Sequence, residues 1–293
     1  MKSSPLSQSE LILNPDGSIY HLNLKPRDIA PIVITVGDPD RVVDVSKHFE
    51  AIEVAIHKRE FKTHTGIYRG KRITVISTGI GTDNIDIVFN ELDALVNIDF
   101  ETRKVKKKLT QLDIIRIGTS GAIQTDIPID GFLVSEMAIG FDNLLHFYGN
   151  TSFLHQDFSE AFIKHTQWNA KKSVPYVVAA DEHLLKRFIS EGFYKGCTAT
   201  NVGFYGPQGR ILRLPLEDSD LNDKLATFSY KDKRITNLEM ETSGIYGMAK
   251  LLGHRAVSLN AILANRADGA FSQKPKETVD KLIARTLDII ATL

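Results

Sequence analysis

One cysteine, Cys197, and one tryptophan stand among 293 residues. A lone thiol forms no disulfide within its own chain, so the fold relies on burial and hydrogen bonding, and a reducing compartment is expected. Net charge is also lacking. Thirty-six lysines and arginines offset 36 aspartates and glutamates, which removes the global field that draws proteins to nucleic acid or anionic membranes. No apolar run approaches the ~20 residues of a membrane span. The opening "MKSSPLSQSELILNPDG" carries no apolar segment of signal-peptide length. A cytoplasmic protein is expected, with neither nucleic acid nor membrane among its partners. Absent too are a Walker loop, an H-E-x-x-H pair and any cysteine cluster, so neither P-loop hydrolysis nor a zinc site has support. "GIGTDN" begins like a dinucleotide fingerprint but lacks the third glycine, and "GTSGA" spaces its serine wrongly for a nucleophile elbow.

What is present is ordinary in bulk, 42% hydrophobic and 25% charged, and strongly patterned along the chain. Short β-branched runs at 31–36, 72–78, 113–118, 132–137, 175–180 and 256–263 read as buried strands. Between them lie helical patterns. Thr82 to Ile98 places Ile85, Val88, Phe89, Leu92, Leu95 and Val96 on one side, and Asp181 caps a helix reaching Glu191. Further helices span Glu241 to Leu252 and run from about Pro275 to the end. This alternation predicts an α/β fold with a central, largely parallel sheet covered on both faces. With no internal repeat or long linker, residues 1–293 read as a single domain, 1–19 being a flexible or partner-contacting N-terminal arm. The basic run Arg103, Lys104, Lys106, Lys107 and Lys108 reads as a solvated connection.

Ligands in open α/β sheets collect at the carboxyl ends of strands. "GDPDR" (37–41) follows the first strand, "GIG" (79–81) the second, and Thr119 and Ser120 the third, which carries Arg116 within it. Glycines, hydroxyls and two arginines at such ends suit an oxyanion, because backbone N–H groups and guanidinium forks match its oxygens. Farther along, "GFYGPQGR" (203–210) puts a planar amide and a planar guanidinium beside two aromatic rings. That loop is built to hold a flat ligand with a polar edge.

The motifs "GDPDR", "STGIG", "IRIGTSGA", "FYGPQGR", "LEMET" and "NR", in this order, resemble the nucleoside phosphorylase-I family across nearly the whole chain, and the F-Y-x-x-Q-x-R loop resembles its uridine-cleaving branch. The resemblance implies a three-layer α/β/α sandwich with a mixed, partly barrel-like central sheet. It implies reversible phosphorolysis of uridine to uracil and ribose 1-phosphate, with Arg116, Gln208, Arg210 and Glu241 carrying the reaction. Gly37, Arg41, Arg116 and Thr119 would hold phosphate, joined by Arg59 from a neighbouring subunit. The nucleoside would meet Thr119, Ser120, Gly121, Phe204, Gln208, Arg210, Glu239, Met240 and Glu241, with the neighbour's His21 at the 5′-hydroxyl. The implied assembly is a homodimer with shared active sites, or a hexamer built as a trimer of dimers. Inorganic phosphate is a co-substrate, and no cofactor or metal site is expected. Family members can bind potassium through a glutamate that Glu60 matches, but Asn84 stands where they have serine.

Other readings stay open at this point. A purine phosphorylase or nucleosidase of the same fold would place an aspartate after the last core strand. Here Asn265 and Arg266 occupy that place, with Asp268 farther on. A non-catalytic nucleoside-binding protein is the alternative of a different class.

Overall fold

A computed structural model of the chain describes residues 4–293. β1 (Ile32–Val36) leads into α1 (Pro39–Ser46), then a hairpin, β2 (Ala51–Lys58) and β3 (Phe61–Tyr68), and β4 (Lys71–Ser77). α2 (Thr82–Asn97) precedes a short pair, β5 (Ile98–Asp99) and β6 (Lys104–Val105). β7 (Asp113–Ala122), β8 (Phe132–Gly140), α3 (Gln156–Thr166), β9 (Tyr176–Ala179), α4 (Glu182–Ile189) and β10 (Tyr194–Thr200) form the middle of the chain. The last part holds α5 (Leu221–Thr227), β11 (Ser229–Tyr230), β12 (Lys233–Glu239), α6 (Thr242–Leu252), β13 (Arg255–Asn265), β14 (Ala270–Phe271) and α7 (Pro275–Ala291).

Alternation along the strands builds the layers. Ile34, Val36, Ile115 and Ile117 pack on Val42 and Val45 of α1, Leu184 and Phe188 of α4 and Leu282 and Leu287 of α7. The intervening Val33 and Ile114 face the opposite way, toward Ile85, Phe89 and Leu92 of α2 and Tyr246 of α6. Successive side chains on a strand point to opposite faces, so a sheet with apolar side chains on both faces must be covered twice. The result is a three-layer α/β/α sandwich. α3 and α5 cover a third cluster through Phe158, Phe162, Leu221 and Leu225, against Ile139, Ala199 and Ile235.

The large sheet runs β11-β12-β10-β8-β13-β7-β1-β4-β3-β2. It is mixed rather than largely parallel. β1–β4, β1–β7, β7–β13, β8–β10 and β10–β12 pair parallel, whereas β2–β3, β3–β4 and β8–β13 pair antiparallel. β7 decides the shape. It uses Asp113–Arg116 against β1, then turns away and pairs Gly121 and Ala122 with Leu238 and Asn237 of β12. That second pairing closes β7, β13, β8, β10 and β12 into a five-strand ring. Thr119 and Ser120 therefore lie inside a ten-residue strand, not after its end, at the point where β7 leaves β1.

Local signals placed most helices. Asp181 accepts the Leu184 N–H at 3.0 Å as the cap of α4, and Pro275 occupies the first turn of α7. "GDPDR" is only partly a loop, because Asp38 accepts the Asp40 N–H and caps α1. Within the basic run, Arg103 departs from a solvated connection. Its Nε donates to the Leu6 carbonyl at 2.8 Å and its Nη2 to that of Ser7 at 2.7 Å. Of the segment 1–19, residues 1–3 lie outside the described residues, and Leu11 and Ile19 are buried in the core. Among the described residues no helix is long and apolar enough to cross a membrane.

Candidate active site

A cleft of about 740 Å³ opens where the ring meets the flat part of the sheet. Its lining includes Gly37 and Arg41 after β1, Glu60 and Asn84, and Arg116, Thr119, Ser120 and Gly121 of β7. Phe204, Gln208 and Arg210 of the loop also line it, as do Glu239, Met240 and Glu241 at the end of β12. Twelve of the fourteen sequence-predicted residues thus share one cavity. Arg59 and His21 are not among its walls.

The strand side is an interlocked set of charges. Arg116 is 6% exposed, and its Nη2 donates to Glu241 Oε2 at 2.6 Å and lies 3.1 Å from Glu239 Oε2. Its Nη1 donates to Asn260 Oδ1 at 3.1 Å. Burial works against the guanidinium charge, but Glu239 and Glu241 outweigh it and hold the pKa above the ordinary arginine value. Glu241 is pushed up by burial and by Glu239 while Arg116 draws it down, and the balance is upward. Glu239 spends both oxygens internally. Oε1 accepts from the Thr200 hydroxyl at 2.7 Å, and Oε2 accepts from the Glu241 and Thr242 N–H groups at 2.9 and 3.0 Å. Glu239 therefore acts as a buttress beneath Glu241 and Arg116.

Two glycines make this packing possible. Gly118 has no side chain because Arg116 folds back along its own strand, and a Cβ there would overlap the guanidinium. Gly81 takes φ = 94°, which L side chains rarely adopt, and so aims its N–H at Glu241 Oε1, 2.9 Å away.

Arg41 contrasts with Arg116. It lines the cleft, half-buried, and among the described residues its guanidinium has neither a hydrogen bond nor an ion pair. Burial and the nearby Arg116 lower its pKa. A guanidinium stays protonated in proteins, so a desolvated, unmatched one favours an anionic ligand. Gly37 and Thr119 line the same cleft.

The loop side is built differently. Gln208 is 3% exposed, whereas Phe204 and Tyr205 are 52% and 53% exposed. Arg210 donates to Gln208 Oε1 at 2.6 Å and to the Phe204 carbonyl at 2.7 Å, and its guanidinium lies 3.9 Å from the Phe204 ring centre. This orients the amide, with Nε2 left as donor and one lone pair of Oε1 still available. Burial, then Arg266, lower the Arg210 pKa. The sequence reading gave Arg266 no role in holding the loop. Its Nη1 and Nη2 donate to the Gln208 and Gly209 carbonyls, both at 3.2 Å, and anchor the loop to the end of β13. The "NR" motif was its only signal. Asn260, Thr200 and Ser258 were also missed, because polar residues in β-branched runs carry no mark of what they touch.

Arg59 and His21 gather elsewhere, with Tyr20 between them. The Tyr20 ring centre lies 5.9 Å from the Arg59 guanidinium and 4.7 Å from the His21 ring. His21 Nδ1 is 2.6 Å from Glu91 Oε1. This patch adjoins Glu60, which reaches the cleft. Glu60 and Asn84 both approach Gly79. Asp268 is exposed, accepts the Ala270 N–H at 3.0 Å and does not line the cleft. Asn265 is tied to the Gln124 and Ile127 carbonyls, each at 3.0 Å.

Comparison with known proteins gives the family and the fold. Residues 31–293 match the family model described as the phosphorylase superfamily. The chain is 29% identical to a uridine phosphorylase of Thermococcus kodakarensis, across 94% of this chain and 88% of that one. It is 25% identical to a DeoD-type purine nucleoside phosphorylase of Listeria monocytogenes, across 82% and 84%. A solved Trypanosoma brucei nucleoside phosphorylase, described as showing uridine phosphorylase activity, superposes with a TM-score of 0.87 at 27% identity. The match covers 97% of this chain and 100% of that one.

Proposed function

The chain belongs to the phosphorylase superfamily, and from that premise we propose that it is a uridine phosphorylase, cleaving uridine with inorganic phosphate to uracil and ribose 1-phosphate. The observation that carries the reading is the buried Gln208, held by Arg210 in the same cleft as the unpaired Arg41 and the Glu241 carboxylate. A planar donor–acceptor edge, an anion site and a sugar-binding carboxylate are the three recognition elements that the two substrates require.

Phosphate attacks the anomeric carbon, the glycosidic bond breaks, and its electron pair leaves on uracil. The protein needs no nucleophile of its own, since phosphate is one. Arg41, Gly37, Thr119 and Arg116 hold the phosphate, joined by Arg59 of the neighbouring subunit, and Arg116 also keeps Glu241 placed for the ribose hydroxyls, with Met240 against the sugar. Fixing two reactants in line supplies several kcal/mol of barrier reduction, on the order of 7–11 where alignment is good. Gln208 pairs with O2 and N3–H of uracil, and Arg210 donates to O4, where negative charge gathers as the base departs. Cytosine offers N3 as an acceptor and an amino donor in place of O4, so Arg210 would face donor with donor.

A purine nucleoside phosphorylase is among the relatives. Against the purine reading, Asp268 is exposed and occupied in a turn, outside the cleft. We also propose a homodimer in which Arg59 and His21 reach the neighbour's cleft, supported by their shared patch outside their own.

The test is a nucleoside panel with and without phosphate. Uridine loss that requires phosphate and yields ribose 1-phosphate is the expected result, with cytidine refused. Preferred turnover of inosine would establish the purine reading, and binding of uridine without turnover would establish a binding protein.

A further inference from the structure

The interior of the five-strand ring is polar, and its hydrogen bonds join side chains from all five strands. Asn260 of β13, Ser135 of β8, Thr198 of β10 and Asn237 of β12 are each 0% exposed. None lines the cleft, yet together they connect two residues of β7 that do, Arg116 and Ser120.

The direction of this chain is set at its two amides, Asn260 by Arg116 and Asn237 by the threonine hydroxyls at its oxygen. A guanidinium only donates, so the amide oxygen of Asn260 faces Arg116 Nη1, at 3.1 Å. The Asn260 Nδ2 then donates to Ser135 Oγ, at 3.3 Å. Ser135 Oγ lies 2.5 Å from Thr198 Oγ1, and because the single Thr198 proton goes onward to Asn237 Oδ1, Ser135 is the donor in this contact. Thr198, now an acceptor, donates to Asn237 Oδ1 at 2.9 Å, where Thr236 Oγ1 also lies 2.9 Å away. That leaves Asn237 Nδ2 to donate to Ser120 Oγ, at 2.9 Å. Ser120 thus accepts from the interior, and its own proton is left for the cleft.

We infer that the ring chain fixes Ser120 as a hydrogen-bond donor toward an acceptor oxygen of the bound nucleoside, with Thr198 and Asn237 as positioning residues that never touch it. Identifying the acceptor as part of a nucleoside rests on the proposed function; the polarity itself does not. The sequence reading gave Ser120 only a place in the nucleoside site. Without the chain, a serine hydroxyl rotates to suit either a donor or an acceptor. With it, a ligand presenting a donor at that point meets the Ser120 proton head on.

Two measurements decide the matter. Neutron diffraction from deuterated, ligand-free crystals places hydroxyl and amide deuterons directly. The expected map has the Asn237 amide deuterons on the Ser120 side and the Ser120 deuteron turned to the cleft. A Ser120 deuteron pointing at Asn237 would overturn the inference, whatever the substrate is. If the map is as expected and uridine is inert, the proposed function fails alone. In solution, Thr198→Val removes the link while keeping the shape, and Thr198→Ser keeps the hydroxyl. Thr198→Val should lower uridine kcat/KM about tenfold, the worth of one lost hydrogen bond. It should match Ser120→Ala, leave the KM for phosphate unchanged and add nothing in the Ser120→Ala background. Thr198→Ser should keep parental activity. An equal further loss in the Ser120→Ala background would mean that Thr198 is merely structural. Should Thr198→Val fail to fold, the neutron map decides alone.

Discussion

On the strand side of the cleft, Arg116, Glu239 and Glu241 are 6%, 4% and 6% exposed, and every carboxylate oxygen has a partner inside the protein. On the loop side only Gln208 is buried, while Phe204 and Tyr205 are more than half exposed, and the loop is tied down by Arg210 and Arg266. The first arrangement cannot change piecemeal, because removing one charge strands the others in a low-dielectric interior. The second can, because its residues face water and few contacts depend on them. In the proposed reaction, the rigid side holds phosphate and ribose, which every substrate of the superfamily reading would share. The adjustable side meets the base, where substrates differ.

The comparison breaks first if Arg116→Ala is mild. That variant leaves Glu239 and Glu241 buried without their cation, a loss of about 3–5 kcal/mol in stability. Activity should fall at least about a thousandfold with loss of two charge-assisted contacts. Urea unfolding and steady-state kinetics measure both. Gly118→Ala comes next. A methyl group in the guanidinium's place should displace Arg116 and cut kcat/KM about a hundredfold, as misplacement near 1 Å does. Parental activity in that variant would show that Arg116 need not lie where it does.

On the loop side, Arg210→Ala should lower uridine kcat/KM about ten- to a hundredfold through one lost charge-assisted donor. The melting temperature and the KM for phosphate should stay unchanged. A marked drop in melting temperature would show that the loop supports the fold after all. The shared-site proposal is sharpened by mixing Arg59→Ala with Arg116→Ala after joint unfolding. In a two-fold dimer the mixed pair has one doubly damaged and one intact site, so activity should recover to about a quarter of the parent's. No recovery, with reassortment confirmed by a mass tag, would place Arg59 outside the neighbour's site. The smallest effect belongs to Cys197, buried in β10 with its thiol pushed up to about 12 by burial. Thiol reagents at pH 8 should leave native protein unmodified and fully active, as mass spectrometry and assay would report.

Much of this was legible in the chain. "IRIGTSGA" carried its arginine in an apolar run, and an unmatched charge there had to find partners. Helix α2 showed its apolar stripe, α4 its aspartate cap, and "FYGPQGR" its mixture of turn and recognition residues. Strands β2, β3 and β10 escaped notice, since lysines, glycines and polar residues interrupt their alternation. The polar ring interior was not visible at all. Ser135 and Asn260 sit in runs that read as buried and Thr198 and Asn237 outside them, but which of these side chains meet is unknown until the strands pair.

By itself, then, the sequence determined what depends on neighbours a few residues apart: helix faces and caps, strand runs, turn residues and the chemical repertoire of the loop. Only the tertiary structure decided that Arg116 would find its carboxylates 123 and 125 residues away, that β7 would split between β1 and β12, and that four interior polar side chains would link Arg116 to Ser120. Local propensity acts through contacts that every conformation of the chain makes. Strand closure and buried ion pairing act through contacts that exist only once distant segments have met, and no spacing along the chain records them.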